Sequence, residues 1–499
     1  MAKNDVVIIG SGLGGLLCGY ILAKEGCKVT ILEKNKQLGG CLQTFKRRGS
    51  TFDTGVHYIG SMNQGQTLWR YFKYFGLTEK LKLKKLDENC FNKIYYNGSH
   101  YDYAQGYENF TESLSARFPD DKAAIGKYAE TLLKISDSLN LYNLREASEQ
   151  NLIESEYVLE SVGEFLERLT PNSTLRSVLA GANSLYAGIP DKTSLYIHSL
   201  INHSYIQSAW RLIGGSSQIA SLLVESIEAM GGTVRNSSEV ARLDISGGRV
   251  VYAELSGGEL VEGDIFISDV HPQTTLGLIS QSDIRRTYRQ RIMNVENTIS
   301  NFTIYIKLKK NSFKYLNYNY YHHFSDNVWG AKIYSESDWP NSFMLLTPAV
   351  SENDEYADTL LLIAYMKYSD VEKWANTKFG KRGARYYEFK VKKAEIFLDA
   401  VETVFPGLRN SISHYYTSTP LTYRDYTGTA EGSLYGFLRD CKDPLKSYVP
   451  PKTKIPNLLL TGQNINMHGV LGVAIGSVLT CSELLGLNYL IGNINRASL

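Results

Sequence analysis

Proline is scarce in this chain, 12 among 499 residues, and its 42 glycines are clustered rather than periodic. That excludes a fibrous or low-complexity protein. Cysteine is scarcer still: six residues, at 18, 27, 41, 90, 441 and 481, with no two in CxxC spacing. Neither a zinc site nor a disulfide framework is signalled, and a reducing compartment is the default. Charge of one sign is lacking too, since 53 Lys+Arg against 51 Asp+Glu leave a net +2. No nucleic-acid partner is therefore expected. No GxSxG element is present, and no Cys/His pairing has a catalytic setting.

Long uninterrupted apolar runs are also missing. Residues 6–23 (VVIIGSGLGGLLCGYILA) are apolar enough for a signal peptide core, but Asp5 precedes them and Leu17 is too large for lipoprotein cleavage before Cys18. The apolar stretch at 458–491 is interrupted by Gln463, Asn464, Asn466, His468 and Glu483, whereas a spanning helix wants about 20 mostly apolar residues. The expectation is a soluble, cytoplasmic protein, at most peripheral to a membrane. What the chain does have is 43% hydrophobic and 21% charged residues, which excludes wholesale disorder. Its length suits two to four domains. It also has 35 tyrosines, enough to predict polar-tipped aromatic surfaces.

The first chemical signal is a βαβ unit. Residues 5–10 read as a strand, 12–25 as a helix and 28–33 as a second strand. The turn between the first two is Gly10-Ser11-Gly12-Leu13-Gly14-Gly15, a GxGxxG at 10, 12 and 15. Gly10 permits the tight turn, Gly12 lets a pyrophosphate approach the helix N-terminus, and Gly15 lets helix and strand pack closely. Glu33 ends the second strand about 20 residues after the turn, where an acid hydrogen-bonds ribose hydroxyls. The motif alone does not separate NAD from FAD. No second GxGxxG unit is present for NAD(P)H, and the electron donor or acceptor is not identified by the sequence.

After Glu33 come Lys34 and then Leu38-Gly39-Gly40-Cys41-Leu42-Gln43-Thr44. With this element the chain resembles the flavin amine oxidase/phytoene desaturase superfamily, in which GG-R-x-x-S/T follows the ribose-binding acid. Cys41 stands where that family usually has Arg. The resemblance implies FAD as cofactor and a two-domain α/β fold: a Rossmann-type FAD-binding domain with a β-meander, and a discontinuous α+β substrate domain. It also implies that Val240, at the start of the meander, pairs its backbone with the adenine. The segment 458–464 followed by Gly469, Gly472 and Gly476 implies contacts to the flavin ribityl and pyrophosphate through Gly462, Gln463, Gly472 and Val473. Physically, this is a second helix N-terminus whose N–H groups can face an anion. Residues 52–60 (FDTGVHYIG), 419–422 (TPLT) and 432–436 (GSLYG) are similar to all-trans-retinol 13,14-saturases and their bacterial relatives, with carotenoid isomerases and phytoene desaturases as neighbouring groups.

On this reading 1–66, 206–285 and 412–499 form the FAD-binding domain, and 67–205 with 286–411 the substrate domain. Strands are expected at 301–308 and 359–368, and helices at 213–230 and 386–404. Residues 68–86 interleave aromatics with Lys and Arg, as an interfacial helix would, or as a surface helix whose aromatic side packs inward.

The expected function is FAD-dependent saturation, desaturation or isomerisation of a polyene or isoprenoid-like hydrophobic small molecule in a dry tunnel. The flavin carries the electrons, so the protein must position the double bond and manage a proton. His57 and Tyr58 are the leading candidates for the wall near the ring, His57 because a histidine can titrate near neutrality. The alternative for His57 is a hydrogen-bonded structural role. Tyr435 is expected on the opposite side, and His468 is read as helix-cap packing. His322 and His323 are adjacent and, on a strand, point to opposite faces, so a metal site is not expected. Two competing readings are an amine oxidase and a non-catalytic prenyl-binding escort protein of the same fold. The first is disfavoured because 462–468 (GQNINMH) has no aromatic residue to frame an amine, the second because Gly10, Gly12, Gly14, Gly15, Glu33, Gly39 and Gly40 are all present.

Overall fold

A computed structural model describes residues 4–146, 156–330 and 333–499. Its first sheet has five parallel strands in the order Thr233–Arg235, Lys28–Leu32, Asp5–Ile9, Ile265–Ser268, Leu458–Leu460. The two central strands are near-continuous apolar runs because both faces of the sheet are covered. Val6, Val7, Ile8, Phe266 and Ile267 are all buried. The helix Leu13–Lys24 is buried almost all round, held between Gly469–Leu485 and Ser217–Ala229. Gly19 lets it pack closely on the strand Lys28–Leu32 and the helix Ser217–Ala229, since a Cβ there would meet Ile31 Cδ1 at 2.7 Å and Ile227 Cδ1 at 3.3 Å.

An antiparallel meander follows, Val240–Ser246, Arg249–Leu255 and Leu260–Glu262. Its first turn, Gly247-Gly248, has φ of +59° and +75°, the left-handed pair that a two-residue hairpin requires.

A second sheet has seven strands in the order Ile412–Ser418, Ser300–Leu308, Thr359–Met366, Ser342–Leu346, Asn319–His323, Asn92–Tyr96, Ser99–Tyr103. All neighbours are antiparallel except Asn319–His323 with Asn92–Tyr96. One face packs on the helix Ala384–Val404 through Phe302, Ile304 and Leu362 against Phe397, Leu398 and Val401. The other carries Tyr305, Tyr321, Met344 and Leu361 toward the interior of the molecule. The two-residue period of a strand therefore sorts Tyr321 and His323 to one side and Tyr320 and His322 to the other.

The helix Leu195–Gln207 is polar yet buried. His198 sits between the hydroxyls of Tyr128 and Tyr186, each at 2.8 Å, and His203 meets Tyr107 Oη at 2.8 Å. Within 68–86, the helix Thr67–Tyr74 buries Leu68, Tyr71 and Phe72, and Leu83–Lys85 pairs with Ala209–Leu212. Its aromatic side is part of the core, so the interfacial expectation is replaced by inward packing. Among the described residues no helix is long and apolar enough to cross a membrane.

Candidate active site

Three glycine segments meet at the N-terminus of Leu13–Lys24. A Cβ on Gly15 would lie 2.2 Å from the Gly10 carbonyl oxygen, and one on Gly14 2.8 Å from the backbone of Gly462. A Cβ on Gly40 would sit 3.1 Å from Gly12 Cα. Helix Gly469–Leu485 starts nearby, and Gly472 is locked by Met467, whose backbone would be 2.7 Å from an added Cβ. The helix Leu13–Lys24 has no side-chain cap from its own N-cap residue; the Gly15 N–H faces the Asp269 carboxylate, and the other first-turn N–H groups face a cradle lined by glycine, where an anion is favoured.

Glu33 is buried, and both its oxygens are engaged. Oε2 accepts from Ser11 N at 3.0 Å and Ser11 Oγ at 2.8 Å, while Oε1 accepts from Asn35 N and Nδ2. The carboxylate is thus fixed beside the turn. Lys34 instead turns outward, donating to the Asp425 carbonyl at 3.0 Å. Val240 is buried at the head of the meander, while Gln463 and Val473 line the cavity described below. The Cys41 thiol is pushed up to about 11, first by burial and then by Asp269, which makes it a packing group rather than a thiolate.

Asp269 was not singled out by the sequence. Its carboxylate oxygens lie 2.4 Å from the Cβ positions of Gly12 and Gly14 and 2.5 Å from that of Gly462. Burial pushes its pKa up to about 7, opposed by the Gly15 N–H and reinforced by Glu33. It follows the strand Ile265–Ser268, at the point where connections from Asp5–Ile9 reverse direction across the sheet. That is where open α/β sheets bind ligands, but strand order cannot be seen in a single sequence. The glycine-lined cradle at the helix N-terminus and the anchored Glu33 fit the pyrophosphate and ribose of FAD.

A cavity leads from this cradle, at Leu13, Gly39 and Cys41, to the seven-stranded sheet at Tyr321, His323 and Met344. Among the described residues no Asp, Glu, Lys or Arg lines it. Four buried side-chain atoms on its wall have no partner: His57 Nδ1, His323 Nδ1, Ser184 Oγ and Ser433 Oγ. His57 is held neutral, its pKa pushed down to about 4 by burial and then by the Arg211 charge, where the sequence suggested titration near neutrality. Tyr58 Oη lies 2.8 Å from Tyr321 Oη, and its ring packs on Tyr205 with centroids 4.5 Å apart. Tyr435 also lines the cavity, but its hydroxyl donates to the Ser184 carbonyl at 2.8 Å and its ring lies against His468. His468 Nε2 donates to the Leu185 carbonyl. His323 Nε2 donates to the Gly181 carbonyl at 2.9 Å, so its unpartnered Nδ1 is an acceptor. The wall thus offers neutral donors and acceptors in an apolar setting, suited to an uncharged substrate.

A sequence model of the family described as flavin containing amine oxidoreductase matches residues 13–274. The all-trans-retinol 13,14-reductase of Danio rerio is 26% identical over 522 aligned residues, covering 96% of this chain and 86% of that protein. The chloroplastic prolycopene isomerase of Daucus carota is 22% identical, over 96% of this chain and 79% of that protein. Among solved structures, cyclohexylamine oxidase from Brevibacterium oxydans superposes with a TM-score of 0.61 at 14% identity, covering 99% of this chain and all of that one (100%).

Proposed function

This chain belongs to the flavin containing amine oxidoreductase family, and from that premise we propose an FAD-dependent oxidoreductase acting on carbon–carbon double bonds of a polyene or isoprenoid-like substrate. The observation that carries the substrate reading is the cavity: among the described residues no charged side chain lines it, and it runs from the glycine cradle to an aromatic sheet face. Full-length similarity to a retinol reductase and a prolycopene isomerase supports the same choice.

Bound FAD supplies the two-electron chemistry. The chain's own residues do the rest. Gly10, Gly12, Gly14 and Gly15 open the helix N-terminus to the pyrophosphate, and Glu33 offers its anchored carboxylate to the ribose. The apolar wall excludes water from the reacting carbons. His57 stays neutral and holds an unpartnered nitrogen on the wall. Tyr58 remains a protonated phenol, because burial raises its pKa well above the ordinary value. The hydroxyl of Tyr435 and the Nε2 of His468 spend their hydrogen bonds on main-chain carbonyls, so they shape the cavity rather than move protons.

The test is the visible spectrum of the purified protein, followed by anaerobic reduction and addition of all-trans-retinol or prolycopene. Oxidised flavin bands that bleach with dithionite and return on adding a polyene are expected. A colourless protein that FAD cannot reconstitute would refute the enzyme reading. A flavoprotein whose reduced form ignores both polyenes would refute the substrate class.

A further inference from the structure

Arg211 is the largest fully buried side chain of the molecule, 1% exposed, and among the described residues no carboxylate pairs with it. Its Nη1 and Nη2 groups donate to the Tyr315 hydroxyl, the Leu316 and Tyr318 carbonyls and, at 3.0 Å, Asn319 Oδ1, while its buried Nε–H has no partner among the described residues. A guanidinium only donates, so Asn319 must turn its oxygen toward Arg211 and its amide N–H groups away. Asn319 Nδ2 then donates to Asn92 Oδ1 at 2.9 Å, and Asn92 Nδ2 points at Tyr58 Oη at 3.4 Å. Tyr58 and Tyr321 share one hydrogen bond of 2.8 Å. All four residues beyond Arg211 are buried.

The two phenols hold two protons and one bond between them. One proton bridges the oxygens. The other has no acceptor among the described residues and faces the cavity that both rings line. Tyr58 already accepts from an amide polarised by the guanidinium, which makes it the stronger donor of the pair. The line of donors therefore runs one way, from Arg211 through Asn319, Asn92 and Tyr58 to Tyr321.

We propose that Tyr321 is the terminal acid of this site, delivering the proton to the substrate carbon, with Asn92, Asn319 and Arg211 as positioning residues that set the direction of the line. The proposal rests on the double-bond reading above. Saturating a double bond adds a hydride equivalent, which is the reduced cofactor's part, and a proton. For the proton, the Tyr321 O–H bond breaks and a C–H bond forms, leaving the electron pair on Tyr321 as phenolate. That phenolate takes the bridging proton from Tyr58, which regains one from water when product leaves. The oriented amides and the unpaired guanidinium stabilise the transient negative charge.

Neutron diffraction from crystals of the FAD-loaded protein in D₂O reads the direction without any substrate. The Tyr58 deuteron is expected on the line to Tyr321, and the Tyr321 deuteron in the cavity. A Tyr58 deuteron pointing into the cavity would overturn the assignment. In stopped flow, dithionite-reduced enzyme reoxidised by all-trans-retinol should slow about 100-fold or more in Tyr321→Phe, with FAD and retinol still bound. Asn319→Asp keeps the shape and adds a carboxylate for Arg211, but reverses the line. It should slow reoxidation comparably with both phenols intact, which a merely structural role would not do. A Tyr321→Phe rate within threefold of the parent would refute the proposal. If retinol leaves the parent enzyme reduced, the substrate reading fails, and the deuteron positions still decide between the two phenols.

Discussion

Acidifying the protein from pH 7 to pH 5 should remove a large share of its folding stability. Five histidines are less than a tenth exposed: His198, His203, His271, His322 and His323. Burial pushes His203, His271 and His323 down to about 4, and His198 and His322 to about 3. Each is packed as a neutral ring. His198 lies between two tyrosine hydroxyls, and His322 stacks on Tyr95 with centroids 4.2 Å apart.

The unfolded chain binds these protons near pH 6.5 and the folded chain does not, so the stability is present above 6.5 and lost as pH falls toward 4. At pH 5 each histidine forfeits about 2 kcal/mol relative to an ordinary imidazole, roughly 9 kcal/mol together. Two carboxyls act in the opposite sense. Asp53 is raised to about 6 and Asp269 to about 7, in both cases first by burial. Their folded forms hold protons more tightly than the unfolded chain, which returns roughly 3 to 4 kcal/mol by pH 5. His57 and His468, also pushed down to about 4 by burial, forfeit about 4 kcal/mol more, so the net loss is about 9 kcal/mol, comparable to the whole stability of many domains. Urea unfolding followed by tryptophan fluorescence across this range checks it. The slope near pH 5 should correspond to uptake of about four to five protons on unfolding, and His198→Asn should reduce it by about one. A free energy flat between pH 7 and pH 5 would refute the neutral-histidine account.

Three further outcomes follow from the cofactor cradle and the cavity wall. Glu33→Ala frees two donors on Ser11 and two on Asn35; losing 1.5 to 3 kcal/mol of charge-assisted bonding should weaken FAD retention by roughly 10- to 100-fold, and unchanged flavin occupancy after dialysis would sink the assignment. Gly15→Ala puts a Cβ 2.2 Å from the Gly10 carbonyl and should lower the thermal midpoint and release flavin, whereas Gly277→Ala, with open space around it, should do neither. His57→Ala should slow turnover while flavin stays bound, and the pH profile should lose no limb near 6.5, because this ring is already neutral there; a limb that disappears with the side chain would show that it titrates.

The sequence disclosed the parts whose signals are local. The strand at 5–10, the turn through Gly15 and the helix beyond it are encoded within some twenty residues, and the observed Asp5–Ile9 and Leu13–Lys24 lie where the period put them. The helix Ala384–Val404 and the strand Ser300–Leu308 were legible for the same reason. What stayed hidden depends on neighbours far along the chain. The neutrality of His57 comes from burial and from Arg211, and Tyr58 meets its phenol partner 263 residues away. Asp269 carries no motif of its own; its place follows from Ile265–Ser268 lying beside the first strand. The aromatic and basic run at 68–86 left two readings open, interfacial or inward-packed, because a hydrophobic face reads alike whether its cover is lipid or protein.

The contact between Gly14 and Gly462 has a consequence for biosynthesis. The two walls of the cradle, at Gly14 and Gly462, lie more than four hundred residues apart in the chain, and Leu458–Leu460 joins the parallel sheet beside Ile265–Ser268. A nascent chain that has not yet emerged past its final glycine turn has half a cradle and nothing to close it. Tight flavin binding therefore needs both segments, and a fragment holding only the first glycine turn should not retain the cofactor.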